Sequence, residues 1–313
     1  MNNLNDSISV AYRCDASTYI GSGHLIRCRN LARALRKKGI NSVFICRKSS
    51  NSIHSSILSG EFLTVDLPIK SDPMTVIENN IGNLSHKNKE NINWLGCTEE
   101  EDYSDFYGVI CRKNFESLKL IIVDHYGISS IWHAKLREKF SLIKLLVIDD
   151  LFDRSLDADF VLNSNIIPSR LEFKNNTKYL IGPAFSPLSN EYSFLQPLIV
   201  FRKEVSTLLI SFGSIDSLNF SLVCIKALQN PLFENLNVDI VLGNSAPHIS
   251  EIKEAILNKP NIHLHIGLPS LAGLMTKADL AIGSGGSTSW ERTSLGLPSI
   301  VIPLAENQSE LTK

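Results

Sequence analysis

Most of the signals that would announce a location or a large partner are missing from these 313 residues. No run reaches the roughly 18 consecutive apolar residues that argue for a membrane-spanning helix. The start, Met1-Asn-Asn-Leu-Asn-Asp-Ser7, has neither the basic stretch nor the apolar stretch of a secretory leader. Cysteines are few and scattered, at 14, 28, 46, 97, 111 and 224, with no C-x-x-C pair. Their even number suits disulfides. Length and the missing leader favour free buried thiols in a reducing cytoplasm. Neither sign of charge is in excess, since 31 Lys and Arg meet 32 Asp and Glu. Nucleic acid and acidic membranes therefore have no electrostatic case as partners. His263 and His265 alternate along a strand and share a face. With no third ligand near, solvated strand histidines are the commoner outcome, and no metal is expected.

What is present is a pair of glycine turns, one near each end. Asp279-Leu-Ala-Ile-Gly-Ser-Gly-Gly-Ser-Thr-Ser-Trp-Glu291 reads as strand, glycine turn and helix start. Small residues admit a ligand close to the backbone, the first helical N–H groups lack intrahelical partners, and the Ser287 and Thr288 hydroxyls can cap or donate to phosphate. A capped turn without a ligand explains the glycines equally well. Near the start, Val10 to Asp15 reads as a first strand, followed by Ile20-Gly-Ser-Gly-His-Leu25. A helix over Ile26–Lys38 then places Ile26, Leu31, Ala34 and Leu35 on one face, and Gly39 ends it. Two such turns suggest two α/β lobes facing a shared cleft, with domains 1–189 and 190–313.

Along the first lobe, strands are expected at Asn41–Cys46, Leu118–Val123, Leu145–Ile148 and Phe160–Leu162, with a helix over Ile131–Lys139. Residues 69–91 are polar and aperiodic, and Glu99 to Asp105 reads as an acidic helix start that complements the dipole. Tyr179 to Leu188 reads as the exit from the first domain, with 190–204 crossing to the second. There, strands at Thr207, Val238, Ile262 and Leu280 alternate with helices from Phe220, Ser250 and Ser270, before a last strand at Ser299. Several first-lobe strands end in polar groups: Asp15, Asp124-His125-Tyr126, Asp149-Asp150 and Asn163 to Asn165. Each alone is an ordinary turn former. Repeated at four tips they favour a site, because the C-terminal ends of a doubly wound sheet line its ligand crevice.

Taken in order, Arg13-Cys-Asp15, Ile20-Gly-Ser-Gly-His-Leu-Ile-Arg-Cys28, Trp94-Leu-Gly96, Val123-Asp-His-Tyr-Gly127, Val147-Ile-Asp-Asp-Leu-Phe-Asp-Arg154, Gly283-Ser-Gly-Gly-Ser-Thr-Ser-Trp-Glu-Arg292, Gly296-Leu-Pro298 and Leu304-Ala-Glu-Asn-Gln308 resemble the PseG family. This family consists of nucleotide-sugar hydrolases of pseudaminic acid biosynthesis. The resemblance spans nearly the whole chain. It implies an α/β GT-B architecture, two Rossmann-like domains with the active site in the cleft between them, no metal and no cofactor. It further implies hydrolysis of UDP-2,4-diacetamido-2,4,6-trideoxy-β-L-altrose to UDP and the free sugar by a cytoplasmic enzyme; a monomer is expected. Two departures stand out. The family's Gly-Gly-x-Asp-Pro becomes Phe212-Gly-Ser-Ile-Asp-Ser217, and the sequence stops at Lys313, where relatives continue through a further helical segment, so the second domain is expected to be truncated.

The chemistry needs a positioned water and a base titrating near neutrality, because the diphosphate already leaves well. His24, beside Gly23 at the first helix's start, suits that role, and the resemblance places the catalytic base there. Gly285, Gly286, Ser287 and Thr288 are candidates to hold the diphosphate, Glu291 the ribose hydroxyls, and Asn307 the phosphate or sugar amides. Asp15, Tyr126, Arg154 and Asn165 are candidates for the acetamido sugar, with turn-forming and salt-bridging roles explaining them nearly as well. A glycosyltransferase with a UDP-acetamido-sugar donor, and a nucleotide-sugar binder without turnover, remain the alternatives.

Overall fold

The computed structural model of the protein describes residues 8–18, 20–58, 60–70, 94–113, 115–166, 176–200, 202–304 and 308. The chain divides into two compact units, residues 1–187 and 188–313. The polar segment 69–91 lies almost wholly outside the described residues.

In the first unit the described strands are β1 (Ile8–Cys14), β2 (Asn41–Arg47), β3 (Leu63–Leu67), β4 (Leu120–Asp124), β5 (Lys144–Ile148), β6 (Phe160–Asn163) and β7 (Lys178–Ile181). They form one parallel sheet in the order β3-β2-β1-β4-β5-β6-β7. Described helices are α1 (Gly23–Arg36), α2 (His54–Leu58), α3 (Glu99–Lys113) and α4 (Ser130–Lys139). A parallel sheet is covered on both faces, so its central strands are apolar throughout rather than alternating. The pleat sorts them: Ala11, Val43, Ile45, Ile121, Val123 and Val147 pack with Phe106 of α3 and Trp132 of α4. Tyr12, Cys14, Phe44, Cys46, Ile122 and Ile148 turn to the other face, against Leu25, Cys28 and Ala32 of α1.

The second unit begins with α5 (Asn190–Leu195) and continues through β8 (Thr207–Ser211), α6 (Phe220–Ala227), β9 (Asn237–Leu242), α7 (Ile249–Ala255), β10 (Ile262–Ile266), α8 (Ala272–Met275), β11 (Leu280–Ser284), α9 (Thr288–Ser294) and β12 (Ser299–Ile302). Its parallel order is β10-β9-β8-β11-β12. In both sheets the strand order reverses beside the first strand of the unit, at β1/β4 and at β8/β11. Ligands of doubly wound sheets bind outside the carboxyl ends of the strands at such a point.

Four expectations need correction. Helix α1 starts at Gly23 rather than Ile26, because a Ser17–Gly21 turn (N···O 2.8 Å) closes early, so His24 is a helical residue rather than a turn residue. Its buried residues Leu25, Cys28 and Ala32 are missing from the expected face, of which Leu31 and Leu35 do pack against the same core while Ile26 is only half-buried. Tyr179 to Ile181 does not leave the first unit but pairs with β6 as its last strand. Residues 190–195 are a helix of the second unit, with Tyr192 in its core, rather than a bare crossing segment. Gly39 ends α1 as expected, with φ +76°.

Candidate functional site

In the first unit, Cys14 at the end of β1 is in register with Asp124 at the end of β4, across the switch point. The first turn of α1 sits above this pair. There the His24 ring, 9% exposed, places Nδ1 2.6 Å from Asp124 Oδ1. Three residues on, one face of the helix presents Arg27 to the same carboxylate: Nε donates to Oδ2 and Nη2 to Oδ1, each at 2.6 Å. Arg27 Nη1 reaches Asp150 Oδ2 at 2.6 Å, and the Tyr126 hydroxyl donates to that oxygen at 2.6 Å. A carboxylate fully taken up by donors fixes the imidazole: Nδ1 carries its proton toward Asp124, and Nε2 is left as an acceptor. The edge of the His24 ring meets Tyr126 at 4.6 Å between centroids, and Trp94 stacks on Tyr126 at 5.8 Å. Burial pushes the Asp124 carboxyl up, but Arg27 and His24 more than reverse this and hold it well below the usual carboxylate range. Burial, with Asp150 beside it, lifts the Tyr126 phenol far above its ordinary value.

A second charged cluster lies at the ends of β1 and β2. Arg13 forks onto Asp102 of α3, with Nε at 3.0 Å from Oδ1 and Nη2 at 2.6 Å from Oδ2, and also meets Asp15 at 2.6 Å. Arg47 adds Nη2 to Asp102 at 2.8 Å and its backbone N–H to Asp15 at 2.7 Å. Trp132 Nε1 also donates to Asp102. Asp102, one of the acidic residues expected and found in the first turn of α3, is thus completely buried between two arginines. His125 Nδ1 accepts the Gly127 N–H, while its Nε2 stands 3.4 Å from Asp15 without an aligned hydrogen bond. A pocket of about 20 Å³ beside Asp15, lined also by Ser17, Arg47 and Trp94, has room for a water molecule.

Of the sugar candidates, Tyr126 touches His24 directly, and Arg154 lies over the Tyr126 ring at 5.8 Å. Arg154 is anchored to Asp149 (2.7 Å) and to the carbonyls of Ile128 and His125. Asp149 also accepts the N–H of Phe152, which it holds at φ +49°. Both Asp15 oxygens face groups of the protein itself. The Asn165 backbone N–H is taken by Asn163 past the end of β6. Gly23 is the first residue of α1. Asp124 and Asp150, expected only among the polar strand tips that favour a site, and Arg27, expected only as part of the first helix, complete the surroundings of His24. The i, i+3 spacing of His24 and Arg27 was the available signal; the carboxylate they share, Asp124, is known only from the sheet register.

In the second unit Gly285, Gly286 and Ser287 join β11 to α9, and Thr288 opens the helix. Ser287 makes no side-chain cap, contrary to one of its expected roles. The Gly285 N–H and the Leu304 N–H both donate to the Gln308 side chain, at 3.1 and 3.0 Å. The Glu291 carboxylate hydrogen-bonds the buried Tyr192 hydroxyl, and burial together with that carboxylate raises the Tyr192 phenol. Beneath the turn, Arg292 donates to Ser284 O at 2.9 Å. At the β8–α6 connection Asp216 accepts the N–H groups of Phe220 and Ser221, both at 2.9 Å, so the first N–H groups of α6 are satisfied internally. Asn307 lies outside the described residues. Among the described residues no group of three His, Cys, Asp or Glu is placed to hold a metal; on β10, His265 pairs with Asp239 at 2.6 Å.

No family model matches the chain. It is 26% identical over 321 aligned residues to an uncharacterized protein of Methanocaldococcus jannaschii, covering 97% of this chain and 57% of that protein. It is 25% identical over 202 residues to the spore coat polysaccharide biosynthesis protein SpsG of Bacillus subtilis, covering 63% of this chain and 59% of that protein. The chain therefore spans less than two thirds of the length of either curated relative. Among solved structures it resembles MurG of Acinetobacter baumannii at 13% identity and a TM-score of 0.54, over 97% of this chain and 82% of that one. Arabidopsis thaliana UGT89C1, solved with UDP-L-rhamnose, matches at 13% identity and 0.63, over 98% and 82%. A UDP-glucosyltransferase from Polygonum tinctorium matches at 12% and 0.64, over 98% and 82%. At such identities the likeness concerns the fold: two parallel-sheet, Rossmann-like α/β domains of the GT-B class. No helix among the described residues is long and apolar enough to cross a membrane.

Proposed function

We propose that this protein is a nucleotide-sugar hydrolase of the PseG type, which releases UDP and a free diacetamido sugar. The observation that carries the reading is the His24–Asp124 contact of 2.6 Å, which leaves Nε2 as the nitrogen able to accept a water proton. Water attacks the anomeric carbon as the bond from that carbon to the diphosphate oxygen breaks. The water proton passes to His24 Nε2, the bonding pair leaves with UDP, and the configuration inverts. Asp124 balances the imidazolium that forms, and Arg27 keeps Asp124 ionised. Tyr126 and Trp94 give His24 an aromatic surround that limits rival waters, and Tyr126, Arg154, Asp15 and Asn165 are assigned to the sugar's amide and hydroxyl groups.

In the second unit the reading assigns Gly285, Gly286, Ser287 and Thr288 to the diphosphate, Glu291 to the ribose and Asn307 to the phosphate or sugar amides. The relatives lend support in kind: one is named for polysaccharide biosynthesis, and the solved neighbours include enzymes named for UDP-sugar chemistry. Those same names favour a second reading, a glycosyltransferase in which an acceptor hydroxyl replaces water. Localisation in the cytoplasm and a monomeric state belong to the proposal as well.

The deciding experiment measures UDP release from UDP-2,4-diacetamido-2,4,6-trideoxy-β-L-altrose without acceptor, for wild type and His24→Ala, with product configuration by NMR and UDP binding by calorimetry. Acceptor-independent release of the inverted sugar, reduced by about 10²–10⁴-fold in the variant with UDP still bound, is expected. Turnover that appears only when an acceptor is added overturns the hydrolase in favour of the transferase.

A further inference from the structure

Among the described residues the buried arginines are Arg13, Arg47 and Arg292, and the first two are neutralised by carboxylates. Arg13, Arg27 and Arg47 each touch at least one carboxylate at 2.9 Å or less, and Arg154 meets Asp149 at 2.7 Å. Arg292 is 3% exposed, yet among the described residues its side-chain hydrogen bonds go to no carboxylate. Its Nη2 donates to Ser284 O at 2.9 Å and Ser289 Oγ at 3.0 Å, Nη1 to Thr288 Oγ1 at 3.4 Å, and Nε finds no acceptor. The fork rests against the carboxyl end of β11, where a Cβ on Gly283 would come within 2.8 Å of Nη1. Ser211 O, at the end of β8, lies 2.4 Å from the same point. The guanidinium therefore occupies the β8/β11 switch point, where such sheets take their ligands. Burial lowers its proton affinity, partly offset by the field of Glu291, but an arginine stays charged. A buried cation without a counter-ion is costly unless something supplies the charge.

The hydrogen bonds say where the charge is directed. Thr288 Oγ1 accepts from Arg292, so its own proton points away from the guanidinium and is left to donate. Ser289 Oγ accepts likewise and donates to Ser284 O at 3.3 Å. At seven residues, α9 is too short for its dipole to explain an anion site; the arginine beneath it supplies a full charge.

We propose that Arg292 is the positioning residue of a phosphate or diphosphate site at the Ser284–Thr288 turn, its uncompensated charge relayed to the anion through the Thr288 hydroxyl. This deepens the reading of a UDP-releasing enzyme and rests on it only for the nucleotide. The test is calorimetric binding of UDP, uridine and inorganic pyrophosphate to the whole protein, for wild type, Thr288→Val and Arg292→Met, with melting temperatures as a folding control. Both substitutions are expected to weaken UDP and pyrophosphate on the order of tenfold or more and to leave uridine unchanged. If Arg292→Met fails to fold, Thr288→Val decides alone. Wild type that binds pyrophosphate but not UDP, with the variants weakened, sinks the UDP reading and keeps this one. UDP bound equally by all three proteins, all three ligands weakened together, or pyrophosphate not bound at all overturns it.

Discussion

The His24 ring is held by a partner one hundred positions away. Asp124 Oδ1 selects the tautomer, and the two Arg27 donors keep that carboxylate from accepting a proton itself. Asp124→Asn removes the charge that balances the imidazolium while keeping the shape. It should lower kcat by about 10²–10⁴-fold with little change in KM, read from initial rates of UDP release. Equal loss in KM would make Asp124 a binding group instead. Buried charge also predicts a stability profile. Burial raises the carboxyls of Asp15, Asp102 and Asp124, and Arg13, Arg47, Arg27 and His24 outweigh it, so all three sit below the usual range when folded. Burial lowers the His125 imidazole, only partly countered by Asp15. In each case the unfolded chain binds the proton more readily, so the stabilisation is present above the unfolded value and lost as pH falls. Urea midpoints should slip first below about pH 6.5, where unfolded His titrates, and steeply below about pH 4 as unfolded Asp does. A flat profile from pH 7 to 3 would show that these pairs add nothing. His24 as a candidate base was picked out from the sequence because a histidine directly after Gly21-Ser-Gly23 at a strand-to-helix junction is locally visible. Its partnership was not, since Asp124 stood only among several polar strand tips and Arg27 looks like an ordinary helical arginine until the sheet register brings strand ends together.

The glycine turn of the second unit shows how an element's residues divide between packing and ligand. Gly283 is a packing glycine: an added Cβ would stand 2.4 Å from Ser211 O and 2.8 Å from Arg292 Nη1. Gly286 is not, for its Cβ would meet nothing nearer than Ser284 Oγ at 3.9 Å. Gly283→Ala should therefore cost about 1–3 kcal/mol in urea unfolding, and Gly286→Ala should leave the midpoint in place while weakening UDP. A reversed pattern would exchange their roles. Several strands were legible to within a residue or two: the apolar runs of β4 and β5, and the span of the edge strand β10, follow from composition and pattern. The two edge strands of the first sheet were not. Edge strand β3, Leu63-Thr-Val-Asp-Leu67, buries only its last residue, and β7 buries none, so neither carries the apolar pattern that betrays a covered strand.

At the scale of the molecule there are two units, each with its own sheet and its own pair of apolar clusters. Binding to one should register there. UDP at 100 times its Kd stabilises the folded form by about 2.7 kcal/mol, and hydrogen exchange should slow most at residues 280–294. Protection confined to the first unit would place the nucleotide elsewhere.

By itself the sequence determined the alternation of strand and helix, the two glycine turns, the basic residue at the heart of the proposed chemistry and the absence of membrane and nucleic-acid signals. These are local properties, written in periodicity and composition over a dozen residues at a time. Only the tertiary structure decided strand order, and with it the switch points. Strand order is what joins His24 to Asp124, puts Asp102 between two arginines, and buries Arg292 without a counter-ion under the second turn. No local pattern carries those outcomes, because each depends on which strand ends become neighbours across a sheet.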